Sequence, residues 1–188
     1  PLVRIDRSVV WAPDGDALGS LLAVHRILET LGKDSLMFLA AKEFPLPVEY
    51  RFLPLEEVFH EPPTDISDRV VIFLDCGNID RMPVDFLAEG RNKVINIDHH
   101  LGNRLYGAVN WFRPTAAACG EQVADIIDAL GIPWTRTMAA YLYLAVSTDT
   151  GSFRYGPISA ETFELCRRVS ATGVSTADLS RQIFDSFT

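Results

Sequence analysis

Residues 70–76 read VVIFLDC and residues 93–98 read KVINID, with Pro83–Glu89 between them. Each outer stretch is a short apolar run that stops on an aspartate. The intervening residues have room for one short helix, expected over Pro83–Glu89. Strand, helix, strand is the unit of a parallel sheet, because two parallel strands need a crossover of a dozen or more residues. The same alternation extends toward the N-terminus. Ser8–Ala12 is a short apolar run. Asp16–Leu31 carries Ala17, Leu21, Val24, Leu28 and Leu31 at helical spacing, with Gly32 as a stop. Ser35–Ala40 is a second strand candidate, and Val109–Phe112 an edge strand. A Pro-rich stretch from Phe44 to Pro63 reads as loop, with one short strand near Arg51–Leu55. Thr115–Leu130, Thr135–Thr148, Ala160–Thr172 and Thr176–Phe187 read as helices, divided by Gly131, Pro133 and Gly173. The expected fold is α/β, a mostly parallel sheet flanked by helices with a helical C-terminal third.

Composition restricts the function. The chain has 188 residues and is 48% hydrophobic and 22% charged, which excludes a disordered or collagen-like chain. Its apolar runs are too short to span a bilayer, and no N-terminal segment reads as a signal peptide. Three cysteines, Cys76, Cys119 and Cys166, include no CxxC pair, so a reducing cytoplasm is the expected compartment. Seventeen basic against twenty-five acidic residues give a net charge of −8. That balance argues against a broad basic face for long duplex nucleic acid, and is compatible with cation binding.

In an open parallel sheet, ligands bind outside the carboxyl ends of the strands. The acids fall there. Asp14 and Asp16 follow the first strand in APDGDALGS, Asp75 ends VVIFLDC, and Asp98, His99 and His100 follow KVINI; Asp149 ends a helix in STDTGSFRY. One aspartate at a strand end is ordinary loop chemistry. Several converging carboxylates need neutralising, and divalent cations do that. Carboxylate and imidazole ligands without thiolate suit Mn2+ or Mg2+ better than structural zinc.

Four motifs in order, PDGDALGS (13–20), LDCGNIDR (74–81), IDHHLGN (97–103) and STDTGSFRY (147–155), make the chain resemble the DHH phosphoesterase domain, within it the bacterial nanoRNases related to RecJ nucleases. The resemblance implies a hydrolase of short oligoribonucleotides, of 3'-phosphoadenosine 5'-phosphate, or of linear or cyclic dinucleotides. It also implies two Mn2+ ions, with Mg2+ as the alternative, that clamp the phosphate oxygens of an in-line displacement. Asp16, Asp75, His99 and Asp149 would hold one ion. Asp14, Asp75 and a histidine four residues before Asp14 would hold the other. That position is Val10, so the second site is expected to be weakened. His25, in the first helix, and His60, in the Pro-rich loop, are not obvious replacements. Asp98 and His100 are the catalytic candidates, Asp98 as support for a histidine and His100 as phosphate contact or proton donor. Gly19, Ser20, Asn103 and Arg154 are the substrate-binding candidates, the first two from a helix start that favours anions. Cys119 reads as packing.

The family usually carries a second, C-terminal substrate-binding domain, and nothing in residues 1–188 resembles it. The chain is therefore expected to be a catalytic half that ends near an interdomain linker and is weakly active alone. Expected partners are short RNA or nucleotide phosphates, with no long duplex and no membrane, and possible homodimerisation. A metal-impaired nucleotide- or partner-binding relative and an inorganic pyrophosphatase of the same superfamily remain as alternatives.

Overall fold

The computed structural model describes residues 7–11 (backbone only), 14–39, 44–61, 63, 64, 66–79 and 92–185. The helix expected over Pro83–Glu89 lies outside them.

Among the described residues, six parallel strands form one sheet: β1 (Arg7–Trp11), β2 (Asp34–Phe38), β3 (Val58–Phe59), β4 (Val70–Leu74), β5 (Val94–Asp98) and β6 (Val109–Phe112). Their order is β3-β2-β1-β4-β5-β6, all parallel. The order reverses direction between β1 and β4, which is where a parallel sheet opens a crevice at its carboxyl end. The helices are α1 (Gly15–Thr30), α2 (Cys119–Ala129), α3 (Arg136–Asp149), α4 (Ala160–Ala171) and α5 (Thr176–Phe184).

Helix α1 starts because Asp14 caps it, its Oδ1 accepting from Ala17 N–H at 2.9 Å. It ends at Gly32, whose φ of +66° only glycine adopts without strain. Between these points α1 is apolar on nearly every side. Ala17, Leu18, Leu21, Leu22, Ala23, Val24, Ile27 and Leu28 are all buried. A helix apolar all round belongs inside, and α1 packs against the sheet, α2 and α3. Truncating Leu18 to alanine there would cost about 2–5 kcal/mol. Strand β4 is buried on both faces: Val70, Ile72 and Leu74 face the main core, while Val71 and Phe73 join Phe38 and Cys76 in a second cluster.

Two elements differ from the sequence expectation. Residues 51–55 are a turn, and the strand beside them is β3 at Val58–Phe59. The chain needs that extra length because a short 3-10 turn, Val48–Tyr50, tucks between Leu46 and Leu53, both buried. Helix α2 begins at Cys119 rather than Thr115, since Ala118 is extended and serves as its cap position. No helix among the described residues is long and apolar enough to cross a membrane.

Candidate metal centre

Five of the sequence candidates converge at the crevice. His99 Nε2 lies 3.3 Å from Asp75 Oδ1, 3.5 Å from Asp149 Oδ2 and 3.7 Å from Asp16 Oδ2. Asp14 joins them through a carboxyl that lies against that of Asp75. Asp14, Gly15, Asp16, Tyr50, Thr148 and Asp149 line a cleft of 180 Å³.

Asp16, His99 and His100 are aimed by their neighbours. Asp16 is buried and fully engaged: Oδ2 accepts from Cys119 N–H at 2.6 Å, and Oδ1 from Gly120 N–H at 3.0 Å and Ser20 Oγ at 3.2 Å. The N-terminus of α2 thus holds the carboxylate of α1, the usual preference of a helix start for negative charge. His99 Nδ1–H donates to the Ala116 carbonyl at 3.0 Å, which leaves Nε2 as the nitrogen that faces the acids. His100 Nδ1 lies 2.8 Å from Asp98 Oδ1 and 3.2 Å from Asp75 Oδ1. Asp98 itself is fully buried, its other oxygen accepting from Asn103 Nδ2. It is an anchor for His100 rather than a group that meets substrate.

The electrostatics are unfavourable as they stand. Burial first, then Asp75, raises Asp14 to about 6. Burial and the charges of Asp75 and Asp149 hold Asp16 well above the carboxylate range, and burial raises Asp149. Asp149 also sits at the C-terminal end of α3, where the helix dipole disfavours an anion and the last turn offers no basic residue. The neighbouring carboxylates of Asp75 and Asp98 push His100 up to about 11. Asp75 has a φ of +55°, a left-handed conformation costing about 1–3 kcal/mol at a non-glycine residue. Both its carboxylate oxygens and His99 Nε2 are buried without a hydrogen-bond partner.

Those orphaned atoms fit a cation. Asp16, His99 and Asp149 offer ligand atoms within 4.8 Å of one another, as do Asp75, His99 and His100. The donors are oxygen and imidazole nitrogen. Cys119 is close in space, but its thiol donates to the Ile97 carbonyl at 3.4 Å and burial pushes its pKa well up, consistent with packing.

The substrate candidates fare differently. α1 opens at Gly15, so Gly19 and Ser20 lie in its second turn and present no free N–H. A Cβ on Gly19 would stand 2.4 Å from the Tyr141 carbonyl oxygen, so this glycine permits the close approach of α1 to α3. Ser20 is fully buried on Asp16. Asn103 bonds Asp98 and, at 2.7 Å, Asn96 Oδ1, so it braces the triplet from behind. Arg154 is exposed, donates from Nε to the Gly151 carbonyl at 2.6 Å and lies over the Tyr155 ring; it does not join the cluster. His25 is buried in α1 with Nδ1 3.1 Å from Ser35 Oγ, and His60 Nδ1 sits 3.3 Å from the Leu39 carbonyl; neither reaches the acids. Val10 pairs through its backbone with Met37 and Ile72, and its hydrocarbon side chain offers no ligand atom. Tyr50, Asn96 and the Cys119–Gly120 amides are site neighbours that sequence reasoning missed.

Residues 11–146 match the model of the DHH family, N-terminal domain. The chain belongs to the DHH family. It is 34% identical over 172 residues to the bifunctional oligoribonuclease and PAP phosphatase NrnA of Thermus thermophilus, covering 91% of this chain and 51% of that protein. The chain thus spans about half the length of that relative. Among solved structures, an exopolyphosphatase-related protein from Bacteroides fragilis superposes with a TM-score of 0.87 at 23% identity, covering 98% of this chain and 58% of that one. An exonuclease RecJ bound to manganese superposes with a TM-score of 0.54 at 15% identity, covering 95% of this chain and 50% of that one. These two likenesses show a shared fold.

Proposed function

We propose that this chain is the catalytic half of a metal-dependent phosphoesterase that hydrolyses short oligoribonucleotides, 3'-phosphoadenosine 5'-phosphate or dinucleotides. The observation that carries the reading is the set of buried atoms without partners, Asp75 Oδ1, Asp75 Oδ2 and His99 Nε2, ringed by Asp14, Asp16 and Asp149. The Thermus relative's name supports the substrate class, and the manganese bound to the RecJ neighbour supports Mn2+, with Mg2+ as the alternative.

Asp16, Asp75, His99 and Asp149 would hold one ion, and Asp14 with Asp75 the other, the latter with no histidine at position 10. Two such ions supply Lewis-acid polarisation of a phosphoryl group and a water acidic enough to attack near neutral pH. The chain's own residues do the remainder. Ser20 and the Cys119 and Gly120 amides keep Asp16 oriented. Ala116 keeps the proton of His99 on Nδ1. Asp98 holds His100 through Nδ1, so Nε2 is the nitrogen left to meet a phosphate oxygen or deliver a proton to a leaving alkoxide. A second domain would complete the substrate pocket, and in its absence turnover would be weak.

The test compares pApA, a short RNA, 3'-phosphoadenosine 5'-phosphate and pyrophosphate with Mn2+ and with Mg2+, on this chain and on a longer form that carries a second domain. Metal-dependent release of mononucleotides or of phosphate from 3'-phosphoadenosine 5'-phosphate is expected, faster in the longer form. Hydrolysis of pyrophosphate alone would reassign the substrate, and no hydrolysis with either metal would refute the reading.

A further inference from the structure

Tyr50 belongs to a stretch that carries no motif, yet it reaches the crevice. It ends the Val48–Tyr50 turn, and its ring lines the cleft with Asp14, Gly15, Asp16, Thr148 and Asp149. The phenol lies beside the Asp14 carboxylate at the start of α1. The turn is firmly placed. Tyr50 N–H donates to the Pro47 carbonyl at 3.1 Å and Leu53 N–H to the Tyr50 carbonyl at 3.1 Å, while α5 packs against the turn from outside.

The donors of this cleft are few. Asp14, Asp16 and Asp149 only accept when ionised. Thr148 Oγ1 is committed to the Leu144 carbonyl at 2.8 Å and the Ala145 carbonyl at 3.1 Å. The phenol of Tyr50 adds a neutral O–H donor to this lining. A phosphate oxygen is a pure acceptor, and carboxylates cannot donate to it. A site built from acids therefore needs cations and, beside them, a neutral donor. Tyr50 meets that need on the Asp14 side.

We infer that Tyr50 is a substrate-contact residue whose phenol O–H donates to a non-bridging phosphate oxygen on the Asp14 side of the site. The inference rests on the phosphoester reading above. A phenol keeps its proton across the neutral range.

The experiment uses this chain loaded with Mg2+ and AMP as the phosphate probe, with affinities measured by calorimetry. Tyr50→Phe keeps the ring and so the packing of the turn, which a thermal melt verifies. Expected are AMP binding about tenfold weaker in Tyr50→Phe, the worth of a hydrogen bond to a charged acceptor, with Mg2+ affinity unchanged. In wild-type protein labelled at tyrosine Cζ, one ring resonance absent from the variant should also shift when AMP is added to the Mg2+-loaded chain. Equal AMP affinities, or a Tyr50 resonance that ignores AMP, would sink the assignment alone. A fall in Mg2+ affinity would overturn it by making the phenol part of the metal site. A metal-loaded wild type that neither binds AMP nor hydrolyses any substrate of the panel would remove the phosphoester reading together with the assignment.

Discussion

The His99 side and the Asp14 side of the cluster are built to different standards. On the first, Asp16 is aimed by Ser20 and two α2 amides, His99 by the Ala116 carbonyl, and Asp75 is placed by a backbone set at φ +55°. On the second, the Asp14 side chain accepts from Ala17 N–H, and position 10 is a valine that offers no ligand atom. Preorganised ligands lose little freedom when a cation arrives, while loosely held ones must be ordered at that moment. The two ions are therefore expected to differ in affinity, the tighter bound by Asp16, His99 and Asp149.

Substituting Asp75, shared by both sides, gives the largest effect. Asp75→Asn should remove both bound Mn2+ ions, read by electron paramagnetic resonance, and lower hydrolysis by about three orders of magnitude, as loss of several kcal/mol of metal assistance implies. Retention of either ion would break the idea that the halves share a ligand. Asn103→Ala unties Asp98 without touching the acids, and should lower kcat by about 10–100-fold while the number of bound ions stays the same. Val10→His should tighten the weaker ion by about tenfold, with the tighter one unmoved; an equal gain at both would end the two-standard comparison.

The smallest effect is on stability. Asp14 titrates at about 6 in the folded chain against an ordinary 3.8. A raised folded value means that the folded state binds more protons, so this contribution is full below about pH 4 and is lost as pH rises through about 6. Asp16 and Asp149 shift the same way. The metal-free chain should thus lose thermal stability across that window, and added Mn2+ should raise Tm more at pH 7 than at pH 5. A Tm increment independent of pH would argue that Mn2+ binds elsewhere.

The fold and the acids were legible because both rest on local patterns. VVIFLD and KVINID are apolar runs that stop on a charge, and a parallel sheet places those stops at one edge. The supports were not legible. Asp16 is held by Cys119 and Gly120, more than a hundred residues away, and neither amide has a side-chain signature. Tyr50 sits in a Pro-rich loop whose course depends on tertiary packing against Leu46, Leu53 and α5. Gly19 and Ser20 invited an anion-site reading because small residues near a helix start fit either role. Only the position of Asp14 as cap, five residues before Gly19, shows that the helix begins earlier and that both face other helices. The strand expected near Arg51–Leu55 failed for a related reason: its apolar residues anchor a turn instead of pairing in a sheet.

The left-handed backbone at Asp75 sets folding and chemistry against each other at one position. A glycine there would relax the chain and abolish the crowding of carboxylates, and so would make a sturdier fold with an inert crevice. A screen of this domain for thermal robustness alone should therefore drift toward glycine or asparagine at residue 75, and its most stable winners would be those that had given up the cation.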